Sequence, residues 1–139
     1  MKRFQFSLER VLTYRRSQAD LEQAKLVALE AEASKIRAQM TALNESFQAE
    51  VRSVRPHPTD RAELGRYRMV VEGQAIRFHQ KLLEKLGQIQ KQRELYVKAN
   101  QSAEVLTKVK TKQKKTWDLE LQKELDSLAM DSYLSRWKQ

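Results

Sequence analysis

Few side chains of this sequence have the type and spacing that catalysis or metal binding requires. The two histidines, His57 and His79, are far apart in the chain, and neither has a second potential ligand at metal-site spacing. The chain has no Cys, and its 3 Gly residues are scattered rather than grouped into a phosphate-binding loop. We therefore expect no catalytic residue, no cofactor and no metal ion, in a protein that is not an enzyme.

Cationic side chains offer a different chemistry, since clustered cations attract acidic protein surfaces, nucleic acid or anionic lipid. The net charge is +9 at pH 7. The cations concentrate near the start of the chain, around its two prolines, and in a late lysine run that contains no acidic residue. The three clusters are Lys2, Arg3, Arg10, Arg15 and Arg16; Arg52, Arg55, Arg61, Arg66 and Arg68; and Lys108, Lys110, Lys112, Lys114 and Lys115. They predict an acidic partner, with a merely solubilising surface as the alternative.

Nucleic acid and membrane are the other partners that a basic chain can have. Alternating Lys and Thr near Trp117 could bind phosphates and stack a base, but no recognised nucleic-acid-binding motif is present, and 18 acidic residues are interleaved. The start lacks the apolar run of a signal peptide, and no stretch approaches the roughly 20 apolar residues of a membrane span. We expect a soluble, intracellular protein with no nucleic-acid partner and no direct membrane insertion.

Long helices must position these residues, because strong helix formers dominate and the chain has only 3 Gly and 2 Pro residues. Both prolines stand in Pro56-His57-Pro58, where each lacks an N–H and pushes its predecessor out of the helical region. We predict an all-α fold and a single domain, an antiparallel coiled-coil hairpin. Helix 1 spans about 5–54, the loop 55–59, and a longer helix 2 about 60–136. Ser7 is the predicted N-cap of helix 1, and Thr59 or Asp60 that of helix 2.

Apolar residues spaced alternately four and three apart define the predicted seam between the two helices. In helix 1 the positions are Leu8, Leu12, Arg15, Ala19, Glu22, Leu26, Leu29, Ala33, Ile36, Met40, Leu43, Phe47, Glu50 and Val54. In helix 2 they are Leu64, Val71, Ala75, Phe78, Leu82, Leu86, Ile89, Tyr96, Ala99, Ala103 and Leu106. Gly65, Gly73 and Gly87 interrupt helix 2 and predict a pliable segment near the loop.

Helix 2 is predicted to extend beyond the end of helix 1. With the fold point near His57, Leu8 lies opposite a residue near 108, so about 25 to 30 residues overhang, by the helical rise per residue. The overhang carries the apolar residues Trp117, Leu121, Leu125, Leu128 and Trp137. Such a stripe predicts an interaction surface, with a tail that folds back or self-associates as the alternative. In a hairpin, the first basic cluster and the lysine run share this end.

The chain opens with the motif Phe4-x-Phe6-x-Leu8-Glu9-x-Val11-Leu12-x-Tyr14-Arg15. This motif resembles the start of the flagellar type III export proteins of the FliJ family. Its closing motif resembles the segment from Glu120 to Ala129, followed by Tyr133 and Arg136, although Ser127 stands where the family often has Glu. The resemblance covers nearly the whole chain.

The resemblance implies a non-catalytic coiled-coil stalk that enters the hexameric flagellar export ATPase and promotes its assembly or activity. It also implies contacts with the cytoplasmic domain of the export gate and with late-substrate export chaperones. The implied location is the cytoplasm, peripheral at the inner-membrane face of the flagellar basal body, where the protein would serve flagellum biogenesis and motility.

Combined with the charge pattern, the resemblance assigns a surface to each partner. The ATPase-binding set is Arg10, Arg15, Arg16, Lys108, Lys110, Lys112, Lys114, Lys115, Trp117, Leu121, Leu125 and Leu128. The export-gate set is Arg61, Arg66, Tyr67, Arg68 and Val70. One alternative is the stalk of a virulence type III secretion injectisome. The other is a general basic coiled-coil adaptor, including one that binds nucleic acid.

Overall fold

The computed structural model describes residues 2–138 and confirms the all-α fold class. Helix α1 spans Glu9–Ser53 (45 residues) and helix α2 spans Pro58–Trp137 (80 residues). No strand occurs among the described residues, and the two helices form a helical hairpin in which the second is the longer. Neither described helix has a stretch that is long and apolar enough to cross a membrane.

The chain divides into two compact units, each with a segment from either side of the turn. The loop unit is Leu21–Tyr96 and contains the turn. The termini unit, as described, comprises residues 2–20 and 97–138.

Burial follows the predicted seam in both units. In the loop unit, Ala33, Val71 and Ile89 are the buried apolar residues. In the termini unit, they are Phe6, Leu12, Ala19, Ala103 and Leu106. Most other seam positions are half-buried, whereas Leu8, Glu50 and Leu86 are exposed. The 3.5-residue spacing thus predicted the packed side of both helices correctly.

Polar residues within the seam find partners from the opposite helix. In the loop unit, the amide of the buried Gln92 donates from Nε2 to the Glu22 carbonyl oxygen (3.0 Å) and also to the Glu22 carboxylate. In the termini unit, the Arg15 guanidinium donates to the Ser102 carbonyl oxygen (3.1 Å). A buried polar group that is hydrogen-bonded costs far less than an unpaired one. The interruptions at positions 15 and 22 are therefore compatible with a continuous seam.

The predicted start of helix 1 at about residue 5 is wrong, because α1 begins at Glu9. Residues 2–6, called the strap below, are not helical, and a turn at Ser7 and Leu8 joins them to the helix. In that turn the Glu9 N–H donates to the Phe6 carbonyl oxygen (3.1 Å). The strap stays out of the helix because its aromatic rings pack against α2, so tertiary packing overrides helix propensity.

The predicted cap of helix 2 is also wrong. Helix α2 begins at Pro58, which occupies the first helical position that suits a residue without an N–H. The cap is His57, whose Nδ1 accepts a hydrogen bond from the Thr59 N–H (3.2 Å). The predicted loop at 55–59 is consequently shorter and lies at 54–57. Asp60 falls in the first turn, where its negative charge suits the helix dipole.

Candidate partner-binding surfaces

The strap closes the seam of the termini unit. Phe6, only 7% exposed, forms a buried cluster with Leu12 (0%) and Leu106 (7%), and Phe4 packs against that cluster. The Phe4 ring also lies 5.9 Å from the Trp117 ring, centroid to centroid, in a tilted arrangement. The Trp117 indole Nε1–H donates to the Lys2 carbonyl oxygen (3.2 Å). These contacts tie the strap to α2 through two aromatic side chains and one hydrogen bond.

The sequence had predicted that Trp117 belongs to the overhang of helix 2. This prediction is wrong, because the strap contacts Trp117. A non-helical segment can span roughly 3.3 Å per residue, against 1.5 Å in a helix. The strap thus extends farther along α2 than the same residues would as a helical turn. After Trp117, every residue of α2 as far as Trp137 is exposed except Leu121, which is half-buried. This segment, residues 118–137, is called the tail below.

The tail continues the apolar spacing of the seam. At about 100° per residue, four apolar residues share the side of α2 that faces the strap and α1 earlier in the helix. This seam stripe is Trp117, Leu121, Leu125 and Leu128. Trp117 and Leu121 are half-buried, but Leu125 and Leu128 are 56% and 58% exposed. Apolar side chains at this spacing form the surface that a further helix would bury.

A second exposed apolar set lies on the opposite side of the tail, and the sequence predictions included only its last member, Trp137. This back stripe consists of Leu119, Met130, Tyr133 and Trp137, all more than half exposed. The rings of Tyr133 and Trp137 lie 6.2 Å apart. The spacing of three and four between Met130, Tyr133 and Trp137 could have revealed the stripe, because it repeats once per helical turn.

The predicted ATPase-binding cations divide into two groups. Three of them are engaged within the termini unit: Arg15 with Ser102, Arg16 with the Thr107 hydroxyl (3.3 Å), and Lys110 with Glu9 (2.7 Å). The others are exposed and form no ion pair or hydrogen bond within the described chain: Arg10, Lys108, Lys112, Lys114 and Lys115. Lys108, Lys112 and Lys115 share one side of the helix, in line with the back stripe.

The predicted export-gate residues lie in the loop unit, but the structure does not bring all five to one surface. Helical geometry places Arg61 and Arg68 on one side of α2 and Arg66 and Val70 on another. Arg68 pairs with Glu72 (3.1 Å). Tyr67 faces the seam, where its ring lies 6.0 Å from that of Phe47.

Exposed apolar side chains accompany the loop-unit cations on α2. They are Met69 (74% exposed), Val70 (56%) and Ile76 (59%). The described residues contain no group of three or more His, Cys, Asp or Glu placed to hold a metal ion. Exposed cations and exposed apolar side chains thus occur together in both units.

No family model, curated protein or solved structure gives a significant match to this chain.

Proposed function

We propose that this chain is a FliJ-type stalk of the bacterial flagellar type III export apparatus, without catalytic activity of its own. In this role it inserts into the hexameric export ATPase and promotes its assembly or activity. It also links the ATPase to the cytoplasmic domain of the export gate and to chaperones that escort late substrates. Its place is the cytoplasmic face of the inner membrane, at the flagellar basal body.

The observation that carries the proposal is the tail of α2. The seam stripe extends past the strap with Leu125 and Leu128 largely exposed, while exposed lysines precede it on the same helix. A stalk that enters a ring of subunits needs such a helix, with apolar and charged side chains available on several sides. The tail meets this need because the back stripe and the seam stripe lie on opposite sides of it.

The two end motifs support the same role. The opening motif contains Phe4 and Phe6 of the strap and Leu12 of its cluster. The closing motif contains Leu121, Leu125 and Leu128 of the seam stripe. The opening motif thus contains residues that close the seam, and the closing motif contains residues that extend it along the tail.

Each unit has its own surface in this proposal. The tail and exposed lysines of the termini unit bind the ATPase, and the early turns of α2 in the loop unit bind the export gate. There, Arg61, Arg66 and Arg68 supply cations, and Val70 supplies exposed apolar area. Tyr67 contributes less than the sequence suggested, since it packs against Phe47.

Charge reversal tests the ATPase surface. Changing Lys112, Lys114 and Lys115 to Glu should abolish most of the stimulation of the export ATPase from the same organism, because it turns attraction to an acidic ring into repulsion. The measurement is ATP hydrolysis at increasing concentrations of the chain. The matched control changes three exposed cations of the loop unit, Lys35, Arg37 and Lys91, to Glu, which alters net charge equally. Undiminished stimulation by the first variant would contradict the assignment of these lysines to the ATPase-binding surface.

The exposed lysines also favour a second candidate, an adaptor that binds nucleic acid. Lys108, Lys112 and Lys115 share one side of α2, and such a row could follow a phosphate backbone. Binding of labelled RNA across a salt series separates the two functions. Steeply salt-dependent RNA binding together with no ATPase binding would favour the adaptor. Binding to an injectisome ATPase in preference to a flagellar one would instead favour the virulence stalk.

A further inference from the structure

The near end of the seam stripe is occupied by part of the same chain. Trp117 is the first residue of the stripe, and Phe4 covers its ring at 5.9 Å. A partner helix that packs along Trp117, Leu121 and Leu125 needs the space next to Trp117 that Phe4 fills. The strap and such a helix therefore compete for one position on α2.

The strap is attached unevenly along its length. Phe6 is 7% exposed inside the cluster with Leu12 and Leu106, so it anchors the strap to the unit. Residues 2–5 depend on the Phe4 ring and on the single bond from the Trp117 indole to the Lys2 carbonyl oxygen. None of residues 2–5 is fully buried, so this part of the strap lacks an anchor comparable to Phe6.

Charges of both signs line the cavity between the strap and α2. Lys2 and Arg3 of the strap face it together with Lys112 of α2, and Glu120 is its acidic residue. Opening the strap would separate Lys2 and Arg3 from Lys112 as well as from Glu120, so repulsion and attraction would be lost together.

We propose that residues 2–5 are a displaceable cover over Trp117, which a partner helix must remove before it packs along the seam stripe. The proposal rests on the proposed function, because it regulates the same surface that would bind the export ATPase. Its consequence is that the apparent affinity for a partner falls with the fraction of chains in which the cover is closed.

The first measurement follows the cover in the isolated chain. The chain has 2 Trp residues, so Trp137→Phe leaves Trp117 as the sole fluorophore. In this background Phe4→Ala should shift Trp117 emission to longer wavelength and about double its quenching by acrylamide, with helicity unchanged by circular dichroism. Phe78→Ala, which removes a half-buried ring in the loop unit, is the matched control and should leave the emission unchanged.

The second measurement is binding by chains with the cover open, native or locked. Phe4→Ala provides the open state. Gln5→Cys with Gln113→Cys, two residues that line the strap cavity in a chain without Cys, provides the locked state after cross-linking with a bismaleimide. Two probes are used: the export ATPase, and a synthetic peptide of residues 8–29, which carries the α1 seam. We expect binding about 3- to 10-fold tighter with the open cover and at least about 10-fold weaker with the locked cover.

The two probes separate the two proposals. If the peptide shows this order of affinities but the ATPase binds no variant, the proposed function is wrong, whereas the proposal of a displaceable cover is supported. If the ATPase binds all three chains within about 2-fold of each other, the cover is overturned, whatever Trp117 fluorescence shows. It is also overturned if neither probe binds more tightly to the open chain than to the locked one.

Discussion

In the loop unit, a buried polar side chain lies between the two helices, whereas in the termini unit a buried apolar cluster closes the seam. The loop unit has the buried Gln92 with its hydrogen bonds to Glu22. The termini unit has the cluster of Phe6, Leu12 and Leu106, with Phe4 packed against it and against Trp117. Exposed polar contacts join the helices in both units, so the two units differ in what they bury and not in whether polar contacts are present.

The difference teaches how one seam can serve two purposes. Hydrogen bonds in a buried seam favour one pairing, because any other would leave a polar group without a partner. Aromatic contacts to a short strap are less restrictive, since another apolar side chain can replace the ring. The buried Gln92 thus favours one pairing in the loop unit, and the proposed displacement of the cover concerns only the contact between Phe4 and Trp117 in the termini unit.

The largest expected effect concerns the buried apolar cluster of the termini unit. Leu12→Ala should lower the free energy of unfolding by about 3 kcal/mol, because Leu12 is fully buried and the strap cluster cannot fill the space. Leu29→Ala, at a half-buried seam position of the loop unit, should cost about half as much. Urea denaturation measures both, with the exposed Leu119→Ala as control. Equal losses at positions 12 and 29 would contradict a distinct core in the termini unit.

The next effect concerns the backbone of the loop unit. Gly65, Gly73 and Gly87 lie within α2 with negative φ, and an added Cβ at each meets no atom within 4 Å. Replacing all three with Ala should raise the free energy of unfolding by about 2 to 3 kcal/mol, since each glycine costs a helix roughly 1 kcal/mol. The thermal unfolding midpoint, compared with that of each single variant, measures the gain. Destabilisation would contradict the regular helical conformation and the open space at these three positions.

The smallest effect tests the polar bridge. Gln92→Ala should lower the free energy of unfolding by about 1 to 2 kcal/mol, because it leaves the Glu22 carbonyl and carboxylate without their amide partner. Gln90→Ala, two residues earlier and exposed, should change it by less than about 0.5 kcal/mol. Chemical denaturation of both variants gives the comparison. Equal stability of the two would show that the bridge contributes nothing to the loop unit.

The seam could be predicted from the sequence, because spacing alone decides which side of a long helix is buried. Counting apolar residues found Leu12, Ala33 and Ile89 but passed over Gln92, since a buried amide has no apolar signal. The cap at His57 was missed for a similar reason, because histidine is seldom the acceptor at a helix start.

The surfaces were predicted less completely than the fold. The exposed lysines and the tail follow from composition and helix length. The strap does not, because its conformation depends on Trp117 and Leu106, more than 90 residues away in the chain. Only the long-range packing reveals that part of the expected overhang is covered, and that Arg15, Arg16 and Lys110 already have partners.

The long distance in sequence between the strap and Trp117, which it contacts, has a consequence for biosynthesis. Lys2 and Trp117 are 115 residues apart, so the strap leaves the ribosome well before its docking site does. Phe4 cannot pack against Trp117 until α2 has been made as far as that residue. The contacts between the strap and α2 can therefore form only after the loop unit, which ends at Tyr96, has been synthesised.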